Sequence, residues 1–318
     1  MDIKENDILK YDKQLLTILL KDNSSKKNII WATDNYEPLG SSYKCDSEIT
    51  ADLISGENGT VIRPRVNKTR DEQLSRIRDK AEVFTPSWVC NCQNNTIDEA
   101  WFGEKDVFNI ETEKSWTTQR RPIPFNNVKT WQDYVQENRL EITCGEAPYL
   151  VSRYDTITGE PIATDNRIGF LDRKLRVVSE NTTTEDAWLE WAKVAVQSTY
   201  GFEWQGDNLI LARENILYTY MDFFKAKFSK LPPKTNTRDI AKIISWNIWQ
   251  MDGLKGVVPN SCKAVIIETI DLFGEVTKTT KECSSCQKGD YHKHNGIYCK
   301  IKDWKTGGTI IYISSLNR

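Results

Sequence analysis

Leu140-Glu141-Ile142-Thr143-Cys144-Gly145-Glu146-Ala147-Pro148-Tyr149-Leu150 reads as a short strand that ends on an acid and runs into a small-residue turn. Such a turn lets backbone amides come against a ligand. A strand-end acid beside it is how an open α/β sheet holds a nucleotide-derived cofactor. Working outward, Tyr200-Gly201-Phe202-Glu203-Trp204 is a second strand ending on an acid, one crossover later. Glu203 therefore stands where ribose hydroxyls are gripped. The crossover predicts a helix from about Thr183 to Thr199, with Thr182 and Glu185 at capping-box spacing and Trp188, Trp191, Ala192 and Ala195 on one face. Another helix is expected from about Asp207 to Phe224, with Leu209, Ala212, Ile216, Tyr220 and Phe223 sharing a side.

Upstream lies Ala81-Glu82-Val83-Phe84-Thr85-Pro86-Ser87-Trp88. Together the two blocks resemble the adenine-N6 DNA methyltransferases, in which Gly-Glu-Val-Phe-Thr-Pro precedes Asp/Glu-Pro-Ala-Cys-Gly-x-Gly-x-Phe-Leu. Glu82 to Pro86 match intact, and Glu141, Cys144, Gly145, Tyr149 and Leu150 fall in register. Ala147 replaces the second glycine, and Pro148 removes an amide donor after it. The resemblance implies an α/β, Rossmann-like S-adenosylmethionine-dependent methyltransferase fold of the restriction-modification subunit M kind. It implies that Phe84, Thr85 and Pro86 face the cofactor and that Glu141, Cys144 and Gly145 help to hold it. Ile243 to Leu254 resembles the family's third cofactor segment, in which an Asp after a short strand accepts from the adenine amino group. Asp252 suits that role because a carboxylate is an acceptor.

The activity implied is site-specific adenine methylation of DNA in a restriction-modification or defence system. The family positions the flipped base with Asn/Asp/Ser-Pro-Pro-Tyr/Phe, and no such tetrapeptide occurs in this chain. The nearest approach is Asp271 and Phe273, after an expected strand at Lys263 to Ile267. Two further readings stay open. The chain ends before the catalytic segment, and a separate specificity, catalytic or nuclease subunit completes the site. Alternatively, a catalytically degenerate or incomplete methyltransferase fold serves in DNA or protein binding.

Of 318 residues, 39% are apolar and 28% charged, which fits a globular protein and argues against extensive disorder. The net charge of −2 gives no electrostatic footprint for nucleic acid beyond local clusters such as Arg63-Pro64-Arg65 and Arg120-Arg121. No apolar run approaches a membrane span and the start lacks the form of a signal peptide, so a cytoplasmic protein with reduced thiols is expected. The organisation expected is an α/β extension at 1–80, a methyltransferase-like domain at 81–275 and a Cys/His element at 276–318. Residues 5–21 predict an opening helix, 28–33 a strand and 153–162 a hairpin turning near Gly159, while 87–139 reads as an insertion without an assigned role.

Both histidines of the chain fall in its last part, near Cys283-Ser284-Ser285-Cys286 and Cys299. Cys-x2-Cys followed by His-x4-Cys supplies a tetrahedral set for structural zinc, so Cys283, Cys286, His294 and Cys299 are the expected ligands. His294 has the better spacing to Cys299; His292 is the alternative.

Overall fold

The protein is described from a computed structural model covering residues 5–80, 82–270, 276–290 and 292–316. Asp271 and Phe273 lie outside the described residues. In chain order the helices are α1 (Glu5–Tyr11), α2 (Lys13–Leu19), α3 (Ala51–Ile54), α4 (Arg70–Lys80), α5 (Ser87–Phe102), α6 (Trp131–Gln136), α7 (Phe170–Asn181), α8 (Glu185–Gln197), α9 (Gly206–Phe228), α10 (Lys234–Asn247), α11 (Ser284–Lys288) and α12 (Tyr312–Ser315). The strands are β1 (Asn109–Thr112), β2 (Ser115–Thr118), β3 (Arg139–Glu141), β4 (Thr199–Glu203), β5 (Ile248–Gln250), β6 (Val265–Ile270), β7 (Val276–Lys281), β8 (Lys300–Lys302) and β9 (Thr309–Ile311).

Strands β3, β4 and β5 form a parallel sheet in that order, and the remaining strands pair as two-stranded antiparallel ribbons. The parallel pairs are joined by helical crossovers, α7–α8 and α9–α10, as parallel pairing requires. The fold is mixed α/β with a parallel sheet, and its register aligns Glu141 with Gly201 and Glu203 with Gln250. Both acids thus sit at the carboxyl ends of adjacent strands.

The expected opening helix is two helices. Asp12, extended at φ −157°, breaks the run and accepts the Gln14 N–H as the cap of α2. Residues 28–33 form bridges rather than a strand, with Ile30 opposite Glu48. The cap of α8 is Thr184, whose hydroxyl accepts the Ala187 N–H, while Thr182 donates back to Val178 O at the end of α7. The hairpin at 153–162 forms as read: Tyr154 bridges Pro161, and Gly159 takes a positive φ.

One apolar core runs through the chain. Ile8, Leu15, Leu16, Leu19 and Trp31 from the first residues share it with Leu175, Trp188, Leu209, Tyr220, Phe224 and Ile244. The N-terminal segment is also sewn to the sheet by hydrogen bonds. Gln250 accepts from Ile30 N and donates to Ile30 O, and the Gly206 N–H donates to Trp31 O.

Gly206 opens α9 directly against that segment. A Cβ there would lie 2.1 Å from Ile30 O and 2.8 Å from Ile49 Cδ1. Backbone cannot yield as a side chain does, so Gly206→Ala is expected to cost about 2–3 kcal/mol. An unchanged denaturation midpoint in urea would refute that contact.

The stretch read as an insertion is part of the body. Helix α5 turns Ser87, Asn91, Asn94 and Asp98 inward, and Arg173 of α7 meets Asp98 at 2.6 Å and Asn91 at 2.9 Å. Tyr134 of α6 donates to the same Asp98 at 3.0 Å. No helix among the described residues is long and apolar enough to cross a membrane.

Candidate functional site

A cavity of about 580 Å³ opens at the carboxyl ends of β3 and β4. Its walls come from both sequence blocks and from the end of β4: Glu82 to Thr85, Glu141 to Glu146 with Pro148 and Tyr149, and Glu203 to Gln205. Segments far apart in sequence therefore meet where an α/β sheet presents its ligand crevice.

The turn after β3 is held open by its own acids. Glu141 accepts the N–H groups of Tyr149 at 3.4 Å and Leu150 at 3.2 Å, bending the chain back over the strand end. Glu203 accepts Gly145 N–H at 2.9 Å and Gln205 N–H at 3.0 Å, so one carboxylate ties the turn after β3 to the start of α9. Thr143, Gly145 and Ala147 all have positive φ, of 47°, 53° and 65°. For Thr143 and Ala147 that conformation carries strain, of the kind that persists where surrounding contacts over-determine it. The edge of Phe84 lies over Gly145, 3.9 Å from where a Cβ would stand.

Glu146 was not singled out in the sequence, yet it is buried in the wall. It accepts Arg65 N–H at 2.6 Å and the Tyr154 hydroxyl at 2.5 Å. Burial pushes the carboxyls of Glu141, Glu146 and Glu203 upward from their ordinary value; Glu203 adds to the rise at Glu141, and Asp207 to that at Glu203. The backbone N–H groups oppose the rise without cancelling it. Burial also lifts the Cys144 thiol, with Glu141 and Glu203 reinforcing it, which favours the un-ionised thiol in the cavity wall.

Glu82 is fixed from behind. Arg76 bridges both its oxygens at 3.1 Å, Asn208 donates to it at 2.7 Å, and the same guanidinium pairs with Asp207 at the start of α9. Burial raises the Asp207 carboxyl, but Arg76, Lys68 and the Tyr36 hydroxyl outweigh it and hold the group well below the carboxylate range.

Two expected cofactor residues stand elsewhere. Pro86 caps the start of α5 and does not line the cavity; its carbonyl accepts Val89 N–H at 2.9 Å. Asp252 lies in a tight turn, its N–H donating to Val257 O and its carboxylate taking Leu254 N–H at 3.0 Å and Lys255 Nζ at 3.2 Å. It lines a neighbouring cavity of about 300 Å³ with Lys255, Cys262, Cys283 and Cys286. Trp204 borders both cavities, and its indole N–H is anchored to Ala32 O.

The expected ligand set is corrected at one position. Cys262, Cys283, Cys286 and His294 converge, with all ligand atoms within 4.8 Å of one another, and this cluster could hold a metal ion. Cys299 is buried in a small apolar cluster with Phe202, Trp249 and Met251, and its thiol donates to Gln250 O. The strand β8 that follows it pulls it into the body, so it cannot turn toward the histidine. His292 is exposed, and its carbonyl accepts the Ser285 hydroxyl. Among the cluster thiols, burial and the sulfurs of Cys286 and Cys283 push Cys262 up to about 11, while the N–H groups of Asn295 and Cys286 draw Cys283 down to about 6. All the cysteines are free.

Comparison with family models, with curated proteins and with solved structures finds no match to this chain.

Proposed function

We propose that the larger cavity binds S-adenosylmethionine and that the chain is a Rossmann-like, adenine-N6 DNA methyltransferase-like protein of a restriction-modification or defence system. The observation that carries this is the meeting of Glu82–Thr85 with Glu141–Tyr149 and Glu203 around one crevice at the strand ends. The donor chemistry fits the group. The acidic and basic side chains among the described wall residues are all carboxyls, Glu82, Glu141, Glu146 and Glu203, with no lysine or arginine among them. Such a wall favours a ligand bearing a sulfonium and an ammonium and repels the phosphates of a dinucleotide.

Bound there, the cofactor supplies an electrophilic methyl group. The protein's part is alignment and charge: Glu203 offers acceptors to hydroxyls while fixing Gly145, Glu141 sets the turn, and Phe84 covers it. Asp252 would act only from the next cavity, past Trp204. DNA, and a separate specificity or nuclease subunit, would be the partners.

Calorimetric titration with S-adenosylmethionine tests the reading. Glu203→Ala removes charge-assisted hydrogen bonds and is expected to weaken binding by roughly 10- to 150-fold, and Asp252→Ala by less. Because burial raises the wall carboxyls, a cation competes with protons for them. Affinity for the sulfonium is therefore expected to rise with pH above the ordinary carboxyl value of 4.5 more steeply than affinity for S-adenosylhomocysteine, which lacks that charge. No binding by the intact chain overturns the proposal.

The absence of an Asn-Pro-Pro-Tyr-like tetrapeptide favours a second reading, a cofactor-binding subunit that does not itself transfer methyl groups. Binding without methylation of adenine in DNA would select it.

A further inference from the structure

The ribbon β6–β7 is exposed along β7 and over Val265 to Glu268 of β6, so it does not pack on the body of the protein. A two-stranded ribbon on its own is marginally stable in water. Its register, from Val265 opposite Lys281 to Ile270 opposite Val276, nevertheless needs a fixed root. Cys262 stands just before β6 and Cys283 just after β7, at the two feet of the ribbon.

The geometry points to one zinc ion held by Cys262, Cys283, Cys286 and His294, acting as the fastener that roots the β6–β7 arm. His294 Nδ1 lies 3.6 Å from Cys262 Sγ, 3.7 Å from Cys283 Sγ and 3.5 Å from Cys286 Sγ. Zn–S bonds of about 2.3 Å and Zn–N bonds of about 2.0–2.1 Å at tetrahedral angles place N and S about 3.6 Å apart. The three separations match that figure, whereas no carboxylate or amide oxygen belongs to the set. Thiolates with one imidazole select zinc over the hard cations magnesium and calcium. The set is closed, so the ion is structural and has no position for a reacting water.

The loops around the set are built to keep it in place. Gly296 brings backbone against the first ligand: a Cβ there would lie 2.9 Å from Cys262 Sγ and 3.0 Å from Cys262 N. Asn295 accepts Lys263 N–H at 3.2 Å and donates to Lys263 O at 2.7 Å, clamping the residue after Cys262. The His294 N–H donates to the Tyr298 hydroxyl, and Tyr298 bridges Val257 of the Asp252 turn. The fastener therefore connects the arm to the loop that walls the smaller cavity, whether or not the larger one takes S-adenosylmethionine.

The test is metal analysis of the reduced full chain after dialysis against a zinc buffer, with cobalt substitution to read the ligands. One zinc per chain is expected, with the visible d–d bands and thiolate charge transfer of a tetrahedral cobalt site. Cys262→Ala is expected to weaken zinc binding more than about 100-fold, Cys262→His to restore it in part, and Cys299→Ala to leave it intact. Gly296→Ala is expected to weaken it about tenfold or more by displacing Cys262. Removing zinc with a chelator should raise protease cleavage within residues 262–299 at least about tenfold while the far-ultraviolet circular dichroism of the helical core persists. Absence of stoichiometric zinc, retention of zinc by Cys262→Ala, loss of zinc on Cys299→Ala, or an arm equally resistant without the ion would each overturn the assignment.

Discussion

Arg76→Met is expected to lower folding stability by about 3–5 kcal/mol, the range for breaking a buried ion pair from one side. Arg76 is 5% exposed, and it serves Asp207, buried completely, and Glu82 together. Without the guanidinium, Asp207 keeps Lys68 at 3.4 Å and the Tyr36 hydroxyl at 2.8 Å, but Glu82 keeps only the Asn208 amide among the described residues. The depressed Asp207 carboxyl contributes stability above its ordinary value of 3.8 that is lost as the pH falls through its lowered value in the folded protein. In the variant that loss begins at higher pH, because the folded-state value rises. The network also sets function. Arg76 is near the end of α4, and Glu82 begins the segment that carries Phe84 over Gly145, so the variant should lose ligand affinity along with stability. Urea denaturation with a constant slope measures the first effect. A loss below about 1 kcal/mol would mean that the pair is solvated and does not hold the segment.

The two motif blocks were legible because each is contiguous and ends a regular element. Glu82–Thr85 and Glu141–Gly145 needed only the sheet to bring them together. What the sequence hid follows from one physical cause: polar groups that are buried by pairing leave no apolar period. Helix α5 buries Asn91 and Asp98 against Arg173, Asn94 against the carbonyls of Tyr149 and Ile168, and Ser87 against Asp155, so its inner face reads as surface and the packing of the stretch from 87 onward leaves no apolar signal. Glu146 was hidden likewise, since its burial depends on Arg65 and Tyr154 from other segments.

Long-range closure defeated local spacing at two further sites. Cys262 and Cys283 become neighbours only when β6 pairs with β7, whereas Cys299 looked right by distance along the chain. The apolar company of Phe202, Trp249 and Met251 claims that thiol instead. Asp252 does follow a short strand, as read, but its turn closes on Val257 and aims the carboxylate at Lys255. Sequence order located the strand end; it could not tell on which side of Trp204 the acid would fall.

Raising the pH from 4.5 to above 7 is expected to cost the fold roughly 3 kcal/mol through the facing carboxyls of Glu5 and Glu214, which titrate as a pair. Glu5, in the first turn of α1, is buried near Glu214 of α9, and burial lifts its carboxyl from 4.5 to about 7. Glu214 on α9 is raised well above its ordinary value, first by burial and then by Glu5, with Arg153 opposing. Neither Glu214 oxygen has a hydrogen-bond partner among the described residues. Arg153 is itself engaged by Asp222 at 3.1 Å, and Tyr218 faces both Glu214 and Glu5, so the described residues supply little countercharge. Because the folded-state value is raised, the contribution is fully present below 4.5 and is lost as the pH climbs through 7. Glu5→Gln and Glu214→Gln keep the shape and remove the charge, so each should flatten the decline between pH 5 and 8.5. Corrected for the base-catalysed intrinsic rate, hydrogen-exchange protection in residues 5–11 should fall at the upper pH in the parent chain and persist in Glu214→Gln. If both variants track the parent across that interval, the carboxyls are ionised and solvated already, and α1 is held by its packing on α2 and by Ile8 in the core alone.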